Sequence, residues 1–311
     1  MLHKVRGIVL KTTNYSESSV VVQVLTDKFG MQSYLINGVK KPKAKIKMNM
    51  LQSLHLLDMV VYHKANTNIQ RISEVRQTPV FKSIPYDMIK TSIVIFLNEV
   101  LYKSIRQQSA DESLFDYIFN SIAWFDEIEE INPNFHLSFL LKLTRFLGFS
   151  PNEKRRTDQI YFDLQEGAFT SRLPIHSNYL QLEDAIDFIL LFHTPLEKIS
   201  EIKMSNAKRR FLLDKVLVFY TLHTASFGVV QSHKILETLL SWKKRKKHLQ
   251  NSFIALYLHS QTEDGSLKFD KIIKGKLAQL VQSTSFTPRG SGVRTPHFPP
   301  KAFQIWEAFF F

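Results

Sequence analysis

The chain contains no cysteine, which excludes disulfide bonds, thiolate zinc sites and a cysteine nucleophile. It also lacks a run of roughly 18 apolar residues, the length that a membrane-spanning helix needs. The first residues, Met-Leu-His-Lys-Val-Arg, do not begin a signal peptide. We therefore expect a soluble protein of the reducing cytoplasm, without membrane association and without redox chemistry.

The sequence motifs that usually mark catalysis are missing as well. Neither GxxxxGK[ST] nor GxGxxG occurs, and the 11 histidines show no HxxxH or HxH spacing. The acidic residues at 126–130 favour a charged helix terminus over a metal site, and His223 lies in an apolar pattern typical of packing. We predict no catalytic residues, no metal, no cofactor and no enzymatic activity.

Positive charge is concentrated at the two ends of the chain. The formal net charge is +13, to which residues 1–80 contribute +8, residues 81–241 contribute −3 and residues 242–311 contribute +8. A polyanion is the natural partner of such clustered charge. Each basic end is therefore a candidate binding surface.

The hydrophobic pattern predicts an α+β protein in three parts. Residues 1–80 show five strand-like runs, at 5–12, 19–26, 31–37, 51–63 and 69–77, which favour a five-stranded OB-fold barrel. Residues 81–241 have helical spacing, interrupted by a small hairpin in an insertion at 150–180. Helices are expected at about 89–101, 114–122, 133–148, 182–192, 206–227 and 232–240. Residues 242–311 predict a basic, poorly ordered tail.

The densest basic signal is the segment 38–47, whose lysines are Lys40, Lys41, Lys43, Lys45 and Lys47. Like charges at this density repel one another unless backbone phosphates neutralise them. A solvated loop without a partner is the alternative interpretation. Lys4, Arg6 and Lys11 on the first predicted strand favour nucleic-acid binding.

Aromatic residues accompany these charges and are candidates for stacking with unpaired bases. They are Tyr15, Phe29, Tyr34 and Tyr62. Any one of them taken alone is more typical of a core residue. Tyr15 is the best candidate for a stacking surface because it lies in a polar turn.

Many short segments of the chain, in order and spacing, resemble the RecO family of DNA repair proteins. The segments are Gly-Ile-Val-Leu-Lys at 7–11, Tyr-Ser-Glu-Ser at 15–18, Leu-Thr-Asp-Lys-Phe-Gly at 25–30, Asn-Gly-Val-Lys-Lys-Pro-Lys at 37–43, Leu-Gln at 51–52, Leu-Leu at 140–141, Leu-Gly-Phe-Ser-Pro at 147–151, Tyr220, His223, Phe-Gly at 227–228 and Ser232. The resemblance covers about residues 1–240.

This resemblance implies a nucleoid-associated recombination mediator that binds single- and double-stranded DNA and anneals complementary strands. It also implies three protein partners: RecR, RecA indirectly, and the acidic C-terminal tail of the single-stranded-DNA-binding protein. Lys142, Arg145, Arg209 and Arg210 are candidates to bind that tail, although they are equally explained as solubilising side chains. An RNA-binding OB-fold protein and a DNA-processing nuclease are the alternative classes, and the helical pattern and the missing catalytic cluster argue against them.

Two features depart from the family pattern. Many members carry a cysteine zinc site after the Leu-Gly-Phe-Ser-Pro segment, but residues 152–180 contain no cysteine, so aromatic packing by Tyr161, Phe162 and Phe169 must hold the hairpin. The tail after residue 240 extends beyond the usual family length. Its charge favours a DNA-binding arm, whereas the terminal Phe-Phe-Phe is poorly suited to a solvated end.

Overall fold

The structure is a computed structural model that describes residues 1–64, 67–105 and 109–233. The predicted tail at 242–311 lies outside the described residues, and so does most of the helix predicted at 232–240. The proposed division into domains at residues 80 and 241 stays a prediction.

The first part of the chain is a closed five-stranded barrel, which confirms the predicted OB-fold. Its strands are β1 (Leu2–Asn14), β2 (Val20–Thr26), β3 (Gly30–Ile36), β4 (Leu56–Tyr62) and β5 (Ile69–Gln77). They are ordered β1-β2-β3-β5-β4, with β3 and β5 parallel and the other neighbours antiparallel. The predicted strand at 51–63 begins only at Leu56, because Met48–Leu51 form a 3₁₀ turn and Leu54 has a positive φ of 58°.

Alternating apolar residues fill the barrel, as the strand period of two requires. Val9, Val22, Tyr34, Leu57 and Val61 are fully or almost fully buried inside it. Gly7 permits the close packing of this interior. A Cβ at its position would lie 2.5 Å from Met59 Cε and 2.6 Å from Val24 Cγ1.

Five α-helices follow within the residues that the structure describes: α1 (Met88–Ser104), α2 (Glu112–Glu127), α3 (Phe135–Leu147), α4 (Leu182–His193) and α5 (Asn206–His223). Asp111 caps α2, and Gly148 ends α3 in the left-handed conformation at φ 83°. Helix α5 ends at His223 rather than at the predicted residue 227. The chain turns there, with positive φ angles of 55° at Ser226 and 67° at Gly228.

The insertion contains the predicted hairpin and one strand that the sequence pattern did not predict. β6 (Tyr161–Asp163) pairs with β7 (Ala168–Thr170) on one side and with β8 (Tyr179–Gln181) on the other. The buried rings of Phe162 and Phe169 meet edge to face at 5.1 Å, and Tyr161 meets Tyr179 in the same way at 5.7 Å. Aromatic packing therefore joins the strands of this small sheet.

The outer wall of the barrel and the helices share one hydrophobic cluster, which is separate from the cluster inside the barrel. Ile8 and Leu10 of β1 belong to the same buried cluster as Phe96 of α1 and Phe115 of α2. The side chain of Asn98 donates a 3.0 Å hydrogen bond to the Leu10 carbonyl. The part of the barrel wall that carries Ile8 and Leu10 is thus covered by helices.

Candidate nucleic-acid interface

The segment 38–47, hereafter the lysine loop, presents its cations outward and its apolar residues inward. Val39 is buried, and Ile46 packs against the barrel interior. Two backbone turns shape the loop, with the Lys41 N–H donating to the Gly38 carbonyl at 3.1 Å and the Ala44 N–H to the Lys41 carbonyl at 3.0 Å. The lysine loop is therefore held against the barrel by the side chains of Val39 and Ile46.

All the lysines of this loop are exposed: Lys40, Lys41, Lys43, Lys45 and Lys47. Within the described part of the chain, none of these ammonium groups has a carboxylate within salt-bridge distance. Their mutual repulsion is relieved only by salt or by a bound polyanion. The arrangement is suited to binding phosphate groups.

Tyr15 lies at the same end of the barrel as the lysine loop. The strand register pairs Asn14 with Val20, and Val20 with Ile36, so the β1–β2 turn is next to the start of the loop. Ser19 Oγ and Asn37 Oδ1 join the two segments at 3.0 Å. The Tyr15 side chain is 64% exposed and is thus available for stacking.

A strip of outward-facing residues runs from this end across the barrel wall. The register aligns Lys11 with Gln23, Ser33 and Ile69 in one row. In OB-folds, the face of strands β2 and β3 between flanking loops is where oligonucleotides bind. Lys11 is exposed at one edge of the row, and its Nζ lies 4.8 Å from the ring centroid of Tyr102.

The remaining two cations predicted on β1 lie towards the opposite end. Lys4 is exposed, and its carbonyl accepts a 2.8 Å hydrogen bond from Lys28 Nζ. Arg6 instead connects the barrel to α2, with Nε 3.3 Å from Asp27 and Nη2 2.9 Å from Asp116. Burial acts to lower the pKa of Arg6, but these two carboxylates outweigh it, so the pKa is raised. Its charge is already balanced.

The other aromatic candidates have different surroundings. Tyr34 is fully buried inside the barrel, and burial raises the pKa of its phenol. Tyr62 is 46% exposed. Phe29 is half-buried and stacks on His63, with ring centroids 3.8 Å apart. Sequence reasoning missed this last contact because no spacing rule connects residues 29 and 63.

The helical candidates do not form a single cluster. Lys142 donates a 2.8 Å hydrogen bond to the Phe192 carbonyl, and the exposed Arg145 lies 4.2 Å from the centroid of the Phe192 ring. Arg209 is buried instead, with its guanidinium 2.8 Å from Asn134 Oδ1, and burial lowers its pKa. Arg210 is exposed.

Within residues 1–64, 67–105 and 109–233, no group of three or more His, Cys, Asp or Glu side chains is placed to hold a metal ion. Nor does any helix in these ranges combine the length and the apolar character needed to cross a membrane.

The strand order and the helices after the barrel define an OB-fold protein with an α-helical region attached. Residues 1–81 match the family model "Recombination protein O N terminal", and residues 85–229 match "Recombination protein O C terminal". The chain belongs to the RecO family. This membership assigns it to DNA repair and recombination.

Curated relatives named DNA repair protein RecO are similar over most of the chain. The protein of Phocaeicola vulgatus is 34% identical over 241 residues, which cover 78% of this chain and 100% of the relative. That of Bacteroides fragilis is 35% identical over 240 residues, covering 77% and 99%. That of Christiangramia forsetii is 33% identical over 242 residues, covering 77% and 99%. The rest of this chain extends outside the matched region.

Proposed function

We propose that this chain is a non-catalytic recombination mediator that binds single- and double-stranded DNA and anneals complementary strands. In this role it assists the loading of RecA, together with RecR and the C-terminal tail of the single-stranded-DNA-binding protein. It acts in the cytoplasm, at the nucleoid. The observation that carries the proposal is the exposed lysine loop beside Tyr15 at one end of the OB-fold, whose ammonium groups have no carboxylate partner among the described residues.

The proposed chemistry is electrostatic and needs no reacting group. Each lysine that meets a phosphate releases condensed counterions, so binding gains free energy without sequence preference. Two complementary strands repel each other through their phosphates, and a cationic surface lowers that repulsion while leaving the base edges free to pair. Tyr15 and the β2–β3 face hold a strand with its bases unstacked from one another.

The decisive experiment replaces Lys40, Lys41, Lys43, Lys45 and Lys47 by alanine. The slope of log K against log salt for single strands should become shallower by about 0.7 for each phosphate contact that is lost. Annealing of complementary oligonucleotides should slow in parallel. Circular dichroism should be unchanged, because these side chains are exposed.

A matched control removes the same charge from the helical region. Five exposed cations there serve this purpose: Lys154, Arg155, Arg172, Lys198 and Lys203. This control should retain most of the affinity and the salt slope of the parent. Equal losses in both variants would mean that net charge, and not the lysine loop, determines binding.

An RNA-binding OB-fold protein is the alternative function, and family membership does not favour it. The lysine loop offers phosphate contacts that suit either nucleic acid. Competition between DNA and RNA oligonucleotides of one sequence measures the preference. We expect RNA to compete no better than DNA.

For the acidic tail of the single-stranded-DNA-binding protein, we favour Arg145 and Arg210 among the four candidates. Both are exposed, whereas Lys142 is tied to the Phe192 carbonyl and Arg209 is buried against Asn134. Arg145 also lies beside an aromatic ring, which suits a peptide that brings both carboxylates and a phenyl group. Peptide titration against Arg145→Ala and Arg210→Ala tests this assignment, and unchanged affinity in both would refute it.

A further inference from the structure

Three rings from three separate segments form a column at the barrel end opposite the lysine loop. Phe29 and His63 stack with centroids 3.8 Å apart and planes 8° from parallel. His3 meets Phe29 edge-on at 5.2 Å and His63 at 6.3 Å. We call His3, Phe29 and His63 the ring column.

The ring column has an inner and an outer end. Phe29 packs against the buried residues of the barrel interior, and His63 lies on Phe29. In the described residues, the only ring contacts of His63 are with these two partners. His63 is partly exposed, so we take its face away from Phe29 as the place where another flat ring would continue the stack.

The location at the far end follows from the strand register. Leu2 pairs with Tyr62, which brings the start of β1 next to the end of β4. Thr26 pairs with both Gly7 and Gly30, so the β2–β3 turn is at this end too. The seven residues of β2 or β3 separate the ring column from the lysine loop, a distance of about 20 Å at about 3.4 Å per residue.

Positive charge surrounds the ring column. The amino terminus, Lys4, Lys28 and Lys64 belong to the same end of the barrel, and all three lysines are exposed. Asp27, the acid of the β2–β3 turn, is engaged by Arg6. Burial, and then repulsion from His3 and the amino terminus, lower the pKa of His63. A neutral His63 ring can stack on a base but cannot form an ion pair. The surrounding ammonium groups are then the groups that can bind phosphate.

We propose that the ring column is a second contact site for single-stranded nucleic acid, in which an unpaired base stacks on His63 and the adjoining phosphates meet the surrounding ammonium groups. The barrel then has one nucleic-acid contact site at each end, the lysine loop at one end and the ring column at the other. This inference rests on the proposed nucleic-acid binding and adds the second place where a strand is held.

The test compares His63→Ala with His63→Phe in fluorescence anisotropy titrations of a labelled oligothymidine about 16 nucleotides long. The alanine variant should lose about fivefold or more in affinity, the lower range for losing one stacked base. The phenylalanine variant keeps a flat ring and should bind within about twofold of the parent. Duplex DNA should be unaffected by either change, because its bases are not free to stack.

The control is His193→Ala, which removes an exposed histidine from the helical region. Thermal unfolding of each variant checks that the fold is intact. The second site is refuted if His63→Ala, folded as the parent is, binds single strands equally well. It is also refuted if His63→Phe loses as much as His63→Ala. If the lysine-loop variant also binds normally, the proposed function fails as well, so the two failures are distinguishable.

Discussion

Replacing Asp126 by asparagine should destabilise the fold, although the substitution barely changes the shape of the side chain. Asp126 is 4% exposed at the end of α2, and its carboxylate accepts backbone hydrogen bonds from Lys82 at 2.7 Å, Ser83 at 2.9 Å and Ile84 at 2.8 Å. These residues belong to the connection between the barrel and α1. The carboxylate thus fixes the connection against the end of α2.

The magnitude follows from one hydrogen bond that asparagine cannot accept and from the loss of the carboxylate charge. Oδ1 of Asp126 accepts from the Ser83 and Ile84 N–H groups, and Oδ2 accepts from the Lys82 N–H. In asparagine the NH₂ group replaces Oδ2, so it would face the Lys82 N–H, which is another donor. The buried ammonium of Lys90, which donates to the Asp126 carbonyl at 3.0 Å, also loses one of its two nearby negative charges, while Asp87 remains. An unsatisfied buried donor costs about 1–3 kcal/mol, and the weaker compensation of the Lys90 charge adds to this. We expect a loss of about 2–4 kcal/mol.

Urea unfolding followed by circular dichroism measures this loss. The midpoint should fall while the slope m stays constant, since the surface exposed on unfolding is unchanged. Glu130→Gln is the matched control, because Glu130 is an exposed acid of the same run and should change stability by less than about 0.5 kcal/mol. A loss below about 1 kcal/mol for Asp126→Asn would refute the assigned role of the carboxylate.

Three further predictions concern stability. Gly7→Ala should cost about 1–3 kcal/mol in urea unfolding, because its Cβ overlaps Met59 and Val24; a neutral effect would mean that the barrel interior yields easily. Burial lowers the pKa of His136 to about 3, and the charge of Arg209 has a smaller effect in the same direction. As the pH falls, this histidine is therefore protonated in the unfolded chain before it is protonated in the folded protein, so the stability of the fold declines from about pH 6.5 towards about pH 3. The His136→Gln variant should show a flatter pH dependence in that window, and an unchanged slope would contradict this. Truncation after Ser241 should leave the thermal midpoint nearly unchanged, whereas a large decrease would show that the tail packs on the rest of the protein.

The sequence predicts those parts of the fold that depend on local pattern. The five barrel strands follow from alternation and turn residues, and Asp111 and Gly148 mark helix ends by their chemistry. β8 was missed because three residues carry too little pattern, and its pairing with β6 depends on a contact across the insertion.

The candidate site was predictable only where charge is dense in sequence. The lysine loop can be recognised from ten consecutive residues of the sequence. Tyr15 can be recognised as a stacking candidate because it lies in a polar turn. In the sequence, Arg6 looks like one more basic residue on a strand. Its ion pair with Asp116 could not be predicted because Asp116 is 110 positions away. The ring column could not be predicted from the sequence for the same reason, because the histidines at positions 3 and 63 come together only when β1 and β4 pair.

The ion pairs of Arg6 with Asp27 and Asp116 join β1 of the barrel to α2, in addition to the hydrophobic packing between the barrel wall and the helices. The guanidinium is 4.9 Å from the Phe115 ring centroid and 5.4 Å from that of Phe119, so the joint combines ion pairs with aromatic packing. A displacement of β1 relative to α2 would break the Arg6–Asp116 ion pair and separate the guanidinium from both rings at the same time. We therefore expect β1 and α2 to move together as one unit.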